Sequence, residues 1–167
     1  RAPCSHAAAG HCRGDRMRAV LVLAALTATA APALAASPVN MLTINGSCEG
    51  LWLDTNDLTP TCGDQLMQMV YDDGRVGLYA FAGGQIFVFS GGSDSVVGDE
   101  IHQDVDQIIL GKSETDIMAQ PVRGSCVYEN PYAGRALFTC EARDDQGWAY
   151  KLTFRTDGSP PVDELAE

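Results

Sequence analysis

Two pairs of cysteines, each separated by the same interval, constrain the fold of this 167-residue chain more than any other feature. Cys48 and Cys62 lie 14 residues apart, and so do Cys126 and Cys140. Gly-Ser precedes the first cysteine of each pair, and Thr precedes the second. These are the four of the chain's six cysteines that lie after residue 35. Four cysteines allow three pairings, and the repeated spacing favours the local one, Cys48–Cys62 with Cys126–Cys140. Each bridge would contribute about 3 kcal/mol by restricting the unfolded chain.

A repeated turn signal accompanies the repeated cysteines. Asp-Asp followed by glycine occurs at 72–74, and Asp-Asp-Gln-Gly occurs at 144–147, after the second cysteine of each pair. Together these echoes favour a diverged duplication of one β-unit, with half-units at 41–98 and 116–158. Chance recurrence of common loop residues is the alternative explanation.

Apolar residues alternate with polar or small residues in several short segments, which is typical of β-strands. The alternation is strongest at 148–154, where Trp148, Tyr150, Leu152 and Phe154 would share a buried face. Further short strands are expected at 51–53, 105–110 and 122–128. Residues 113–120 are the one segment where we expect a helical turn.

Gly83-Gly84 predicts a two-residue hairpin between two apolar strands. In this register Phe81 opposes Ile86, and Tyr79 opposes Val88. Both faces of the hairpin are apolar, so we expect it to lie deep in the fold. Taken together, the short strands and the glycine and aspartate turns predict an all-β fold, an antiparallel sandwich or barrel of about 8–9 short strands.

The N-terminal part of the chain has the features of a secretory signal peptide at 17–35. Met17-Arg18 is followed by a short apolar stretch and by Ala33-Leu34-Ala35, a small-x-small cleavage site. Residues 1–16 precede this signal, and we interpret them as an over-extended gene start. Cleavage leaves a single β-domain at 36–158 and an acidic tail at 159–167, which we expect to be frayed. No membrane span follows the signal, so the sequence predicts a periplasmic or secreted protein.

The charge of the chain limits its partners. The formal net charge is −11, and residues 36–167 contain seven basic and 21 acidic residues, a net charge of −14. Nucleic-acid binding needs a basic surface, so the sequence predicts no nucleic-acid partner. A cationic protein suits an acidic surface of this kind.

One segment contains residue types that bind metal ions. His102, Asp104 and Asp106 share a face if the chain is extended there, because side chains alternate along a strand. A solvated acidic face is the alternative, since runs of charge commonly face water. The sequence contains no motif for catalysis or for a cofactor, so we predict no cofactor and expect no enzyme activity.

Aromatic residues near the cysteines form the candidate binding surface. Trp52 lies in the first cysteine loop, and Tyr128 and Tyr132 lie in the second. Tyrosine and tryptophan are enriched at protein interfaces. The sequence therefore predicts an inhibitor-like monomer that binds a protein or another envelope component without catalysis. A hydrolase that uses carboxylates and a structural envelope protein are the alternatives.

Overall fold

The computed structural model describes residues 36–92, 94–113 and 116–166. Within these ranges the chain forms eleven antiparallel strands and two short 3₁₀ turns, which confirms the predicted all-β class. The strands are β1 (Pro38–Leu53), β2 (Asn56–Asp57), β3 (Cys62–Tyr71), β4 (Val76–Ala82), β5 (Gln85–Gly91), β6 (Ser95–Val97), β7 (Glu100–Ser113), β8 (Asp116–Glu129), β9 (Leu137–Arg143), β10 (Ala149–Thr156) and β11 (Val162–Asp163). The predicted gene-start segment 1–16 and signal peptide 17–35 lie outside the described residues.

Eight of the described strands close into a barrel. Their order is β1-β3-β4-β5-β7-β8-β9-β10, and β10 pairs back onto β1 from Gly46↔Thr156 to Leu53↔Tyr150. Each barrel strand thus pairs with the next one along the chain, which is the arrangement of an up-and-down barrel. The sequence left a sandwich and a barrel open, and the ladder between β1 and β10 decides for the barrel.

The connections alternate between the two ends of the barrel because consecutive strands run in opposite directions. End A carries the connections at 54–61, 83–84 and 144–148. End B carries the turn at 72–75, strand β6, and the connection at 130–136 with its 3₁₀ turn Pro131–Ala133. The two cysteine loops lie at opposite ends as a result.

Side chains from all eight barrel strands fill the interior, as expected for a barrel of this size. Every one of these strands contributes at least one fully or almost fully buried side chain. One example from each strand, in chain order, is Leu42, Leu66, Leu78, Phe87, Ile108, Cys126, Phe138 and Leu152. The core is therefore one continuous apolar cluster inside the barrel.

Both predicted disulfides are confirmed, Cys48–Cys62 and Cys126–Cys140. Cys126 stands directly opposite Cys140 in the ladder between β8 and β9, and both are fully buried. The Cys48–Cys62 bridge joins β1 to the first residue of β3 and is partly exposed. Each bridge therefore fastens two strands that are neighbours in the barrel.

The repeated Gly-Ser-Cys sequence has a steric cause in both halves. A Cβ atom at Gly46 would lie 2.1 Å from the backbone oxygen of Arg155, and one at Gly124 would lie 2.2 Å from that of Glu141. Only glycine permits such a close approach of neighbouring backbones. The duplication itself stays a prediction.

The β4–β5 hairpin has the predicted register, with Phe81 opposite Ile86 and Tyr79 opposite Val88. Its inner face is buried in the core. On the outer face Val88 is buried, whereas Tyr79, Phe81 and Ile86 are only partly buried. The expectation of deep burial on both faces is therefore wrong. A barrel has one interior, so only one face of the hairpin can line the core.

Three further expectations differ from the structure. Trp148 is 53% exposed rather than buried, because β10 begins at Ala149 and Trp148 belongs to the preceding turn. Part of the expected frayed tail is held in place, since β11 pairs with Leu42 and Thr43 of β1. Residues 116–120 belong to β8 rather than to a helical turn.

Candidate functional site

The three candidate metal ligands follow one another on β7. Nε2 of His102 lies 3.3 Å from Oε2 of Glu100. Asp106 forms an ion pair with Arg75 at 2.6 Å, and the hydrogen bonds from this guanidinium hold the pKa of Asp106 below its ordinary value. Asp104 is exposed between them. In the described parts of the chain, no three His, Cys, Asp or Glu side chains are grouped so that they could hold a metal ion.

A β-bulge explains why Asp106 has a different environment from its neighbours. The register between β5 and β7 passes from Ser90↔Gln107 to Gly91↔Val105 and leaves Asp106 as the extra residue. A bulge interrupts the alternation of side chains along a strand. The predicted shared face is nevertheless present, because His102, Asp104 and Asp106 all lie on the outer side of β7 while Gln103 and Val105 between them are buried.

The three candidate binding aromatics lie in three different environments. Trp52 is exposed on β1 near end A, and Tyr132 is 59% exposed at end B. Tyr128 is only 2% exposed and stacks on Phe138 inside the barrel, with ring centroids 4.6 Å apart. The expectation that Tyr128 contributes to an exposed loop is wrong, because it lies two residues after the buried Cys126 and shares its inward face.

A buried polar cluster surrounds the hydroxyl group of Tyr128 at end B. This hydroxyl donates a hydrogen bond to Oδ2 of Asp94, and Nε2 of Gln68 donates to both groups, at 2.8 Å to Tyr128 and 3.2 Å to Asp94. Burial raises the pKa of the Asp94 carboxyl, although both hydrogen bonds oppose the shift. Burial also raises the pKa of Tyr128 well above its ordinary value.

This cluster includes a carboxyl oxygen without a partner. Oδ1 of Asp94 is buried and accepts no hydrogen bond from the described residues. An unpaired buried oxygen disfavours the ionised carboxylate. We interpret the cluster as a polar closure of the barrel interior at end B.

A surface groove lies next to this closure, and we call it the end-B groove. The hairpin of β6 and β7 forms one wall through Val96, Asp99 and Ile101, and the 130–136 connection with Glu129 forms the other. Its volume is about 540 Å³, which is within the range of ligand-binding clefts. The tip of the hairpin exposes two valines, Val96 at 76% and Val97 at 57%.

Local sequence explains how both walls are formed. Gly98 has a φ of +65°, which suits the tight turn between β6 and β7. In the other wall the side chain of Asn130 accepts a hydrogen bond from the backbone N–H of Tyr132 at 3.0 Å, which holds the 3₁₀ turn in place. The valines next to Gly98-Asp99 were the sequence signal for this hairpin, and our strand assignments did not include it.

The rim of the end-B groove is predominantly acidic. Glu100 stands directly opposite Glu129 in the ladder between β7 and β8, and Asp99 lies next to them. Arg135 is the basic side chain among the residues that line the groove. Glu100 already contacts His102, and Glu129 accepts a hydrogen bond from the backbone N–H of Leu137. Like charges placed directly opposite on neighbouring strands still favour a bound cationic group between them.

No protein-family model, curated protein or solved structure matches the chain. Among the described residues, no helix has the length and hydrophobicity needed to cross a membrane. What the end-B groove can bind is therefore inferred from its own residues.

Proposed function

We propose that the protein is an exported binding protein without catalytic activity, and that its end-B groove binds a cationic segment of a partner protein. The opposed carboxylates of Glu100 and Glu129 beside exposed apolar side chains carry this proposal. Carboxylates at the rim would attract and orient a basic partner. Val96, Val97 and Tyr132 would supply the apolar contacts that hold it.

The proposed compartment is supported by the disulfides and by the N-terminal sequence. Two disulfides fit an oxidising environment. Together with the predicted signal peptide, they support a periplasmic or secreted location. A basic protein of the cell envelope or of the surroundings would then be the partner.

For the hydrolase alternative, the candidate group among the described residues is Asp94, whose raised pKa would suit a general acid. Oδ2 of this carboxyl, however, already accepts hydrogen bonds from Tyr128 and Gln68. The end-B groove is lined by Asp99 and Glu129 rather than by Asp94. Binding therefore has more support than catalysis.

Surface-based kinetics against a panel of basic proteins that includes lysozyme tests the proposal. We expect Val96→Ser and Tyr132→Ala to raise the dissociation rate about tenfold, since anchor residues dominate the stability of such complexes. Asp99→Asn should slow association and weaken its dependence on salt, because charge steers the encounter.

Matched controls come from end A. Trp52→Ala removes an exposed aromatic there, and Asp116→Asn removes an exposed carboxylate. Both variants should bind like the parent. If no basic protein binds at low salt, or if the end-A variants have the same effect as the end-B variants, the proposal is wrong.

A further inference from the structure

Two arginines face each other on the outside of the barrel. Arg123 of β8 stands directly opposite Arg143 of β9, and both side chains are exposed. Side chains in this arrangement have Cβ atoms about 5 Å apart, and like charges at this distance destabilise a sheet. The fold therefore places two like-charged side chains directly opposite each other, an arrangement that costs stability.

These two arginines differ from most of the other cations in residues 36–167. Three of the others form ion pairs with carboxylates: Arg75 with Asp106, Lys151 with Glu141, and Arg155 with Glu49. Arg123 forms no hydrogen bond or ion pair with any residue that the structure describes, and Arg143 donates only a 3.3 Å hydrogen bond to the backbone oxygen of Gly147. Residues 36–167 contain three times as many acidic as basic residues, yet neither arginine has a carboxylate partner in the described structure.

A cavity of about 620 Å³ adjoins the arginine pair at end A. The cavity exists because β8 extends further toward end A than β9 does. β9 ends at Arg143, opposite Arg123, whereas β8 begins seven residues before Arg123. Among the described strands, this part of β8 pairs only with β7. Residues 120–123 of β8 form one side, and residues 143–146 form the other. This volume is within the range of sites for small molecules.

Two carboxylates also line this cavity, and they differ in how they would affect a ligand. Asp144 is already engaged, since Oδ1 accepts from the backbone N–H groups of Gln146 and Trp148, and Oδ2 accepts from the hydroxyl of Tyr150. Asp145 lines the cavity without a described hydrogen bond or ion pair. A ligand would therefore place its negative charge at the arginines and an uncharged polar part near Asp145.

We propose that Arg123 and Arg143 bind the carboxylate or phosphate group of a small polar ligand in this cavity. The guanidinium group has a planar arrangement of donors that matches both oxyanions. The side-chain amides of Gln120 and Gln146 line the same cavity and suit hydroxyl or amide groups of the ligand. The site lies at the opposite end of the barrel from the end-B groove and is independent of the function proposed there.

Titrations of the protein with glucuronate, inorganic phosphate and glucose test the site, with the arginine Nε–Hε signals followed by NMR. Glucuronate or phosphate should shift the signals of Arg123 and Arg143, and neutral glucose should leave them unchanged. Arg123→Gln and Arg143→Gln should each weaken binding at least about tenfold. Arg155→Gln is the control, because it removes a cation elsewhere on the same sheet.

Thermal unfolding gives a second, independent readout. Without added anions, Arg123→Gln should raise the melting temperature, because it removes the repulsion between the two arginines. The bound anion should raise the melting temperature of the parent more than that of this variant. The site is ruled out if neither anion binds at 10 mM, if Arg123→Gln binds like the parent, or if chloride at equal ionic strength stabilises equally.

Discussion

At the scale of single residues, Asp94 is the group whose environment has the clearest consequence for pH dependence. Burial raises the pKa of its carboxyl above the ordinary value of 3.8. The folded protein therefore holds this proton more firmly than the unfolded chain does. Stability that Asp94 contributes is fully present below about pH 3.8 and is lost as the pH rises through the pKa of the folded state.

Substitution of Asp94 by asparagine should remove this pH dependence. We expect the unfolding free energy of the parent, measured relative to Asp94→Asn, to fall between pH 4 and pH 7. Urea unfolding of both proteins across this range measures the difference. Parallel profiles for the two proteins would show that the carboxyl is not perturbed by burial.

The two faces of the β4–β5 hairpin give a second prediction at this scale. Phe87→Ala should cost about 3–5 kcal/mol, because the ring is buried in the core. Tyr79→Ala should cost about 1–2 kcal/mol, since the ring is partly buried and its hydroxyl is hydrogen-bonded to Tyr71. Lys151→Ala, on the exposed face of β10, should stay within about 0.5 kcal/mol. Chemical denaturation measures the loss in unfolding free energy for each of the three variants. Equal losses would contradict the assigned faces.

The environment of one candidate residue, Tyr128, could have been predicted better from its neighbours in the sequence. From the sequence, Tyr128 is expected to lie in an exposed loop, because it lies between Cys126 and Cys140. Its spacing of two from Cys126 places it on the buried face of a strand, and that spacing is visible in the sequence. The bulge at Asp106 has no comparable local signal, because it depends on how β5 and β7 align.

At the scale of elements, the two disulfides differ in access rather than in loop length. Both close loops with a sequence separation of 14, so the entropic gain is about 3 kcal/mol for each. Cys126 and Cys140 are fully buried, whereas Cys48 and Cys62 are partly exposed. A thiol reductant reaches exposed sulfurs first.

Limited reduction should therefore open Cys48–Cys62 before Cys126–Cys140. Brief treatment of the folded protein with dithiothreitol, followed by alkylation and mass spectrometry, measures the order. Reduction of the fully unfolded protein with dithiothreitol is the control, and subsequent alkylation should label these four cysteines alike. Earlier labelling of Cys126 and Cys140 would contradict the buried position of that bridge.

Elements formed by local pairing were predictable from the sequence. The hairpin at Gly83-Gly84 has the predicted register because a two-residue turn fixes the pairing of its strands. The predicted burial of its outer face failed for a different reason. Both faces are apolar, and only the closure of the whole sheet determines which one faces the core.

At the scale of the whole molecule, the closure of the barrel could not be predicted from the sequence. The ladder between β1 and β10 joins residues more than 90 positions apart, with Gly46 opposite Thr156 and Leu53 opposite Tyr150. No local pattern specifies such a pairing. The end-B groove is equally non-local, because its walls come from residues 96–101 and 129–135. The acidic charge, in contrast, follows directly from composition, and the proposal of a cationic partner starts from it.

Hydrogen exchange of the protein, alone and in complex with the tightest-binding basic protein of the panel, tests the proposed groove most directly. Amides that a bound partner covers exchange more slowly. The end-B groove predicts slower exchange at 94–102 and 129–135, with no change at 143–148 on end A. Protection confined to end A, or a complex without protection at the groove, would contradict the proposed binding site.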